Sequence, residues 1–181
     1  MHMNLTQILA ALLFTCLLMV SQVFTPSGQA GAGAVTLQRV LAASDWLNSK
    51  PSAQSVRGKV VLIDFYTFGC INCKNVQPNL RSLYRDKSRS DLVILSIHSP
   101  ETAVERDRDQ LTRSLAEQGV VWPVAVDNDF AIWNAYNVTA WPTQMIFDRA
   151  GHLRKTVIGD SQDDTVDATV DRLIREKGPF S

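Results

Sequence analysis

Residues 64–78 read DFYTFGCINCKNVQP, with Cys70 and Cys73 three positions apart directly behind a run of strand formers. That run, KVVLIDFYT at 59–67, is almost continuously apolar and β-branched, the pattern of a strand covered on both faces. The period then changes: Val76, Leu80, Leu83 and Tyr84 fall on one helical stripe between Cys70 and Arg85, and Pro78 inside it is expected to kink the helix. The turn between strand and helix therefore places Cys70 at a helix start. Unpaired backbone N–H groups and the positive end of the helix dipole stabilise a thiolate there. Cys73 lies one turn further in, on the same side, more enclosed and slower to lose its proton. Cys70 is thus the expected nucleophile and Cys73 the residue that resolves a mixed disulfide.

A disulfide closing so small a loop removes little entropy from the unfolded chain, so these thiols make a poor staple and a better redox pair. Asp64 is the one acid in the strand, where burial is expected to raise its pKa and let it exchange a proton with Cys73. The alternative is a strand-end carboxylate bonded to backbone or solvent.

The remaining chain alternates in type. Val35 to Leu41 reads as a short entry strand, and Ser44 as the cap of a short helix carrying Trp46 and Leu47. DLVILSIHS at 91–99 is a second buried strand, and ETAVERDRDQLTRSLAEQG a surface helix with Val104, Leu111 and Leu115 inward and Gly119 ending it. VWPVAVD is a third strand, a short helix spans 129–136, and TQMIFD and HLRKTVIGD form a hairpin around RAG. A helix at 163–177 closes the chain, with Val166, Val170, Leu173 and Ile174 on one face. The pattern predicts an α/β fold with a central mixed sheet flanked by helices on both sides.

With 18 basic and 18 acidic side chains in 181 residues, the net charge is zero, which argues against nucleic acid or anionic membrane as a partner. Residues 1–34 hold no Asp, Glu, Lys or Arg, and ILAALLFTCLLMV precedes the small-residue stretch SGQAGAGA. This reads as a secretory signal peptide cleaved after Ala30, Ala32 or Ala34, leaving a single domain at 35–181 in the periplasm or another extracytoplasmic space. A lesser reading is a signal anchor over residues 8–24, short of the roughly 20 residues a span needs. Cys16 reads as filler of the apolar block.

The run from Asp64 through Cys70, Cys73, Lys74 and Pro78 resembles the thioredoxin active site. AWPTQMIFDRAGHLRK resembles the thioredoxin segment in which a cis-proline, followed by a strand and hairpin, faces the active-site disulfide, which puts Pro142 in that role. The additional strand and helix between the two motifs resemble the exported TlpA, ResA and DsbE branch of the thioredoxin fold. Within it, FYTFGCINCKNVQPNL, IHSPE and WPVAVDNDFAIWNAYNVTAWPT are similar to the thioredoxin-like domain of the DipZ group. The resemblance spans Leu37 to Glu176. It implies a disulfide-exchanging enzyme acting on protein thiols, monomeric, with no metal or organic cofactor, fed by a membrane-embedded electron donor.

Reduction is the direction the resemblance suggests, as in cytochrome c maturation, with a disulfide oxidase as the alternative. Tyr66 and Gly69 stand where thioredoxins usually carry Trp, and Ile71-Asn72 replaces Gly-Pro; these residues tune the potential, so the direction stays open. Glu101 matches an acidic position that ResA-like proteins place near the site, and is a candidate second proton handler or a helix-start residue. The backbone before a cis-proline is free to pair with an extended substrate, with Trp141, Pro142, Thr143, Phe68 and Tyr66 as its contacts. Trp122 and Trp133 read as core. Three rivals remain: a thiol peroxidase, since Thr67 precedes Cys70 by three although Ile63 stands where that motif has proline; a zinc site adding His98 and His152 to the cysteines; and a non-catalytic binding module.

Overall fold

A computed structural model describes residues 35–178; the leader expected at 1–34 lies outside the described residues. The order is α1 (Leu37–Leu41), β1 (Trp46–Leu47), α2 (Ala53–Val56), β2 (Val60–Tyr66), α3 (Ile71–Asp86), β3 (Leu92–His98), a 3-10 turn (Val104–Arg106), α4 (Arg108–Glu117), β4 (Val124–Val126), α5 (Ala131–Ala135), β5 (Thr143–Phe147), β6 (Leu153–Ile158) and α6 (Asp163–Arg175). The six strands form one sheet in the order β1-β4-β3-β2-β5-β6. Strand β2 runs parallel to β3 and β3 to β4, whereas β1, β5 and β6 join antiparallel.

Every residue of β2 is buried because both faces of the sheet are covered. Val60, Leu62 and Tyr66 point to one face and pack with Cys73, Val76 and Leu80 of α3 and Val166, Val170 and Leu173 of α6. Val61, Ile63 and Phe65 point to the other, against Leu37, Val40, Val56, Ile132, Trp133 and Tyr136. The strand period of two thus assigns Asp64 to the α3 face, the face of Cys73. Across β2, Asp64 is level with Ser96 of β3 and Gln144 of β5, and Tyr66 is level with His98.

Three sequence expectations change. Residues 37–41 are a helix, because Leu37 and Val40, three apart, both turn inward. Trp46 and Leu47 are an edge strand paired with Ala125 and Val124, since cross-strand pairing outweighs the weak helix start at Ser44. The long helix expected from Glu101 starts at Arg108, capped by Asp107, whose carboxylate accepts the N–H groups of Asp109 and Gln110 at 2.9 Å each. That break rotates the preceding turn, leaving Val104 59% exposed and turning Glu105 inward. Gly119 does end α4, at φ +65°. The short α2 is held by a reciprocal Ser52–Ser55 capping box.

Candidate active site

Cys70 is the N-cap of α3 and is linked by a disulfide to Cys73, with Cα atoms 5.2 Å apart. Its sulfur accepts the Cys73 backbone N–H at 3.1 Å, one of the donors a helix start leaves unpaired. The Cys70 N–H in turn donates to the Thr67 carbonyl at 3.3 Å, closing the turn out of β2. Cys70 is half-buried, Cys73 is 1% exposed within the core, and Ile71 between them is 68% exposed. The outer sulfur is therefore the one a partner can reach. The helix runs on through Pro78 to Asp86.

Asp64 is fully buried. Desolvation raises its carboxyl from 3.8 to about 7, offset in part by Ser96 and Gln144. The Ser96 hydroxyl donates to Oδ2 at 3.3 Å and itself accepts the Trp122 indole N–H at 2.8 Å. Gln144 is near enough to favour the ionised form, yet its Nε2 and Asp64 Oδ1 both lack a hydrogen-bond partner of normal geometry. A neutral or half-neutralised acid on the Cys73 face can take up or release one proton near pH 7.

The Trp141–Pro142 peptide is cis, and Thr143 directly after it pairs with Phe65 near the end of β2. This register brings the proline turn to the carboxyl end of β2, the end of the sheet that carries the Cys70 loop. The Trp141 indole donates to the Ser99 carbonyl at 3.0 Å and lies 4.3 Å from the Trp133 ring, so its side chain is fixed and half-buried. Among the described residues, no hydrogen bond engages the Trp141 main chain. Thr143 is buried and its hydroxyl donates to the Ala140 carbonyl at 2.7 Å, so it shapes the turn. Nearby, the Asn75 amide donates to Asp160 at 2.6 Å, tying α3 to the loop after β6.

Three expected roles move, the first being that of Thr143, named as a substrate contact but 1% exposed with its hydroxyl closing the turn. Tyr66, named as a substrate contact, is 1% exposed and packs edge-on against His98, because its position in β2 points it under α3. Glu101, named as a second proton handler, is exposed; Glu105 occupies the buried position instead. The Glu105 carboxylate accepts the N–H groups of Gly69 at 2.9 Å and of Glu101 and Thr102 at 2.7 Å each. Burial pushes its pKa up, but these bonds and one from Thr67 outweigh it and hold the acid below its usual range. Phe68 remains at the surface rim, half-buried and stacked on His98 with ring centres 5.5 Å apart.

His98 is the second residue that sequence reasoning underrated. It is fully buried, Nε2 lies 3.3 Å from the Thr67 hydroxyl, and desolvation lowers its pKa from 6.5 to about 4, against an opposing pull from Glu105. His152, the other ligand of the zinc reading, is exposed and sits 3.6 Å from Asp148. Among the described residues, no three metal-ligating side chains gather. Because the unfolded chain binds a proton near 6.5 that folded His98 refuses until about 4, stability is lost as pH falls through that window, by about 3 kcal/mol. A His98→Gln variant is expected to lack that component in urea unfolding at pH 7 and pH 4; an unchanged pH dependence would contradict the assignment.

The family profile described as thioredoxin-like matches residues 58–153. The chain is 33% identical over 138 residues to the protein DipZ of Mycobacterium tuberculosis, a span that is 74% of this chain and 20% of DipZ. It thus spans about a fifth of that relative. It is 29% identical over 132 residues to the thiol-disulfide oxidoreductase YkuV of Bacillus subtilis, covering 72% of this chain and 88% of YkuV. A thioredoxin-like protein solved in its oxidised form superposes with a TM-score of 0.65 at 28% identity, over 72% of this chain and 88% of that one. With the profile covering more than half of its 181 residues, the chain belongs to the thioredoxin-like family.

Proposed function

We propose that this protein is an extracytoplasmic thiol-disulfide oxidoreductase that reduces disulfides in protein substrates. The observation that carries the reading is the pairing of a reachable sulfur at a helix N-cap with a buried sulfur one turn behind it. In the dithiol form, the Cys70 thiolate attacks one sulfur of a substrate disulfide; the other leaves as a thiolate, and a Cys70–substrate disulfide forms. Cys73 then loses its proton to the Asp64 carboxylate and attacks Cys70. The second substrate thiolate leaves and the Cys70–Cys73 disulfide closes. The substrate has gained two electrons and the protein has lost two, so a dithiol donor must restore them. We place that donor in the membrane.

Support for the activity comes from YkuV, named a thiol-disulfide oxidoreductase, and for the compartment from a pneumococcal exposed lipoprotein thioredoxin at 26% identity and a TM-score of 0.57. The free Trp141 main chain supplies an edge on which an extended substrate segment can lie, with Ile71 and Phe68 as apolar contacts. Thr67, the residue that prompted the peroxidase alternative, is fully buried with its hydroxyl against His98, which favours a structural use. The deciding measurement is the reduction potential of the pair in a glutathione series. We expect a value near the thioredoxin end, about −270 mV; a value near about −120 mV would replace the reductase with an oxidase.

A further inference from the structure

Gly69, directly before the nucleophile, is a glycine that neither its exposure nor its backbone demands. It is exposed, and its φ lies outside the left-handed region that favours glycine. What excludes a larger residue is Glu105: a Cβ on Gly69 would stand 2.4 Å from Glu105 Oε1 and 3.3 Å from its Cδ. Oε1 is held there by the Gly69 N–H, while Oε2 accepts the N–H groups of Glu101 and Thr102 and the Thr102 hydroxyl at 3.2 Å. The carboxylate cannot step aside without abandoning donors on both segments. It is only 4% exposed, and among the described residues no cation pairs with it. A negative charge supported by backbone dipoles therefore sits one residue from Cys70.

We infer that Glu105 is a positioning residue for Cys70: it clamps the Thr67–Gly69 segment to the Glu101–Thr102 turn, and its charge opposes the thiolate that the helix start favours. A less stable thiolate makes the dithiol the weaker form, which shifts the pair toward the reducing end. The inference rests on the function proposed above. The other ionisable groups facing this region are His98 from β3, Tyr66 and Asp64 from β2, exposed Lys74 in the first turn of α3, Arg113 and Glu117 of α4, which line a pocket with Phe68 and Lys74, Glu101, and Arg106, whose guanidinium is engaged by the Asn128 carbonyl and the Phe130 ring. All are unchanged in the comparison below.

Glu105→Gln, Glu105→Asp and Gly69→Ala are compared with the parent chain by glutathione equilibration and by the pH dependence of Cys70 alkylation in the reduced protein. Glu105→Gln is expected to move the equilibrium about tenfold toward the dithiol, about 30 mV for a two-electron couple, and the alkylation midpoint about one pH unit down. Glu105→Asp keeps the charge and is expected to restore most of both. Gly69→Ala expels the carboxylate from the loop and is expected to shift both in the direction of Glu105→Gln. A folded Glu105→Gln protein with the parent's equilibrium and midpoint overturns the inference. If that variant does not fold, the parent's values in Gly69→Ala overturn it equally. A parent pair that does not exchange with glutathione removes the proposed function itself, whereas an exchanging pair indifferent to Glu105 removes only this inference.

Discussion

Replacing Cys70 with serine is expected to reduce insulin-disulfide turnover to background, while Cys73→Ser leaves a protein that attacks once and stops. The asymmetry follows from the geometry: the half-buried N-cap sulfur can meet a substrate, and the sulfur at 1% exposure can meet only Cys70. Without Cys73 the mixed disulfide has no internal nucleophile to release it, so a stoichiometric substrate adduct on Cys70 is expected on non-reducing gels. Equal loss of adduct in both variants, or turnover surviving in Cys70→Ser, would refute the assignment. Hydrogen peroxide consumption by Cys73→Ser at the parent's rate would instead establish the peroxidase alternative.

Asp64→Asn is expected to make the protein more stable and less active. The carboxyl titrates near 3.8 when unfolded and at about 7 when folded, so between those values the native state holds a proton that the unfolded chain has released. Stability therefore falls as pH rises through that window, by about 4 kcal/mol at most. Asparagine cannot ionise and removes the loss. Urea unfolding at pH 8 should show the variant more stable, and the gap should close toward pH 4; parallel pH profiles in the two proteins would sink the assignment. The same change deprives Cys73 of its proton acceptor, and resolution of the mixed disulfide is expected to slow by about a hundredfold at pH 7. The two effects have opposite signs, which is the mark of a buried charge kept for chemistry at a cost in stability.

The redox pair, the strand behind it and the helix after it were legible in the sequence because each depends on residues within one or two turns of one another. Asp64 was legible for the same reason: a lone carboxyl in a buried strand is visible without knowing what covers it. The edge strand at Trp46 was not, since its pairing partner Ala125 lies far along the chain. Tyr66 was misplaced because both faces of β2 are covered to its last residue, where α3 and His98 of the neighbouring strand enclose the ring, and the local pattern does not say how far along the strand that cover extends. A signal for Glu105 did exist, in Asp107 as a cap that ends the turn before α4.

By itself the sequence determined a buried strand delivering two thiols to a helix start, with an acid on the strand, because those features are set by local period and spacing; the second motif, at Trp141-Pro142, came from the resemblance to thioredoxins. Only the tertiary structure decided which acid reaches the nucleophile's loop. Glu101 and Glu105 are equivalent in composition and four residues apart, and a helix break at Asp107, packed against a sheet built from distant segments, turned one to solvent and the other onto Gly69.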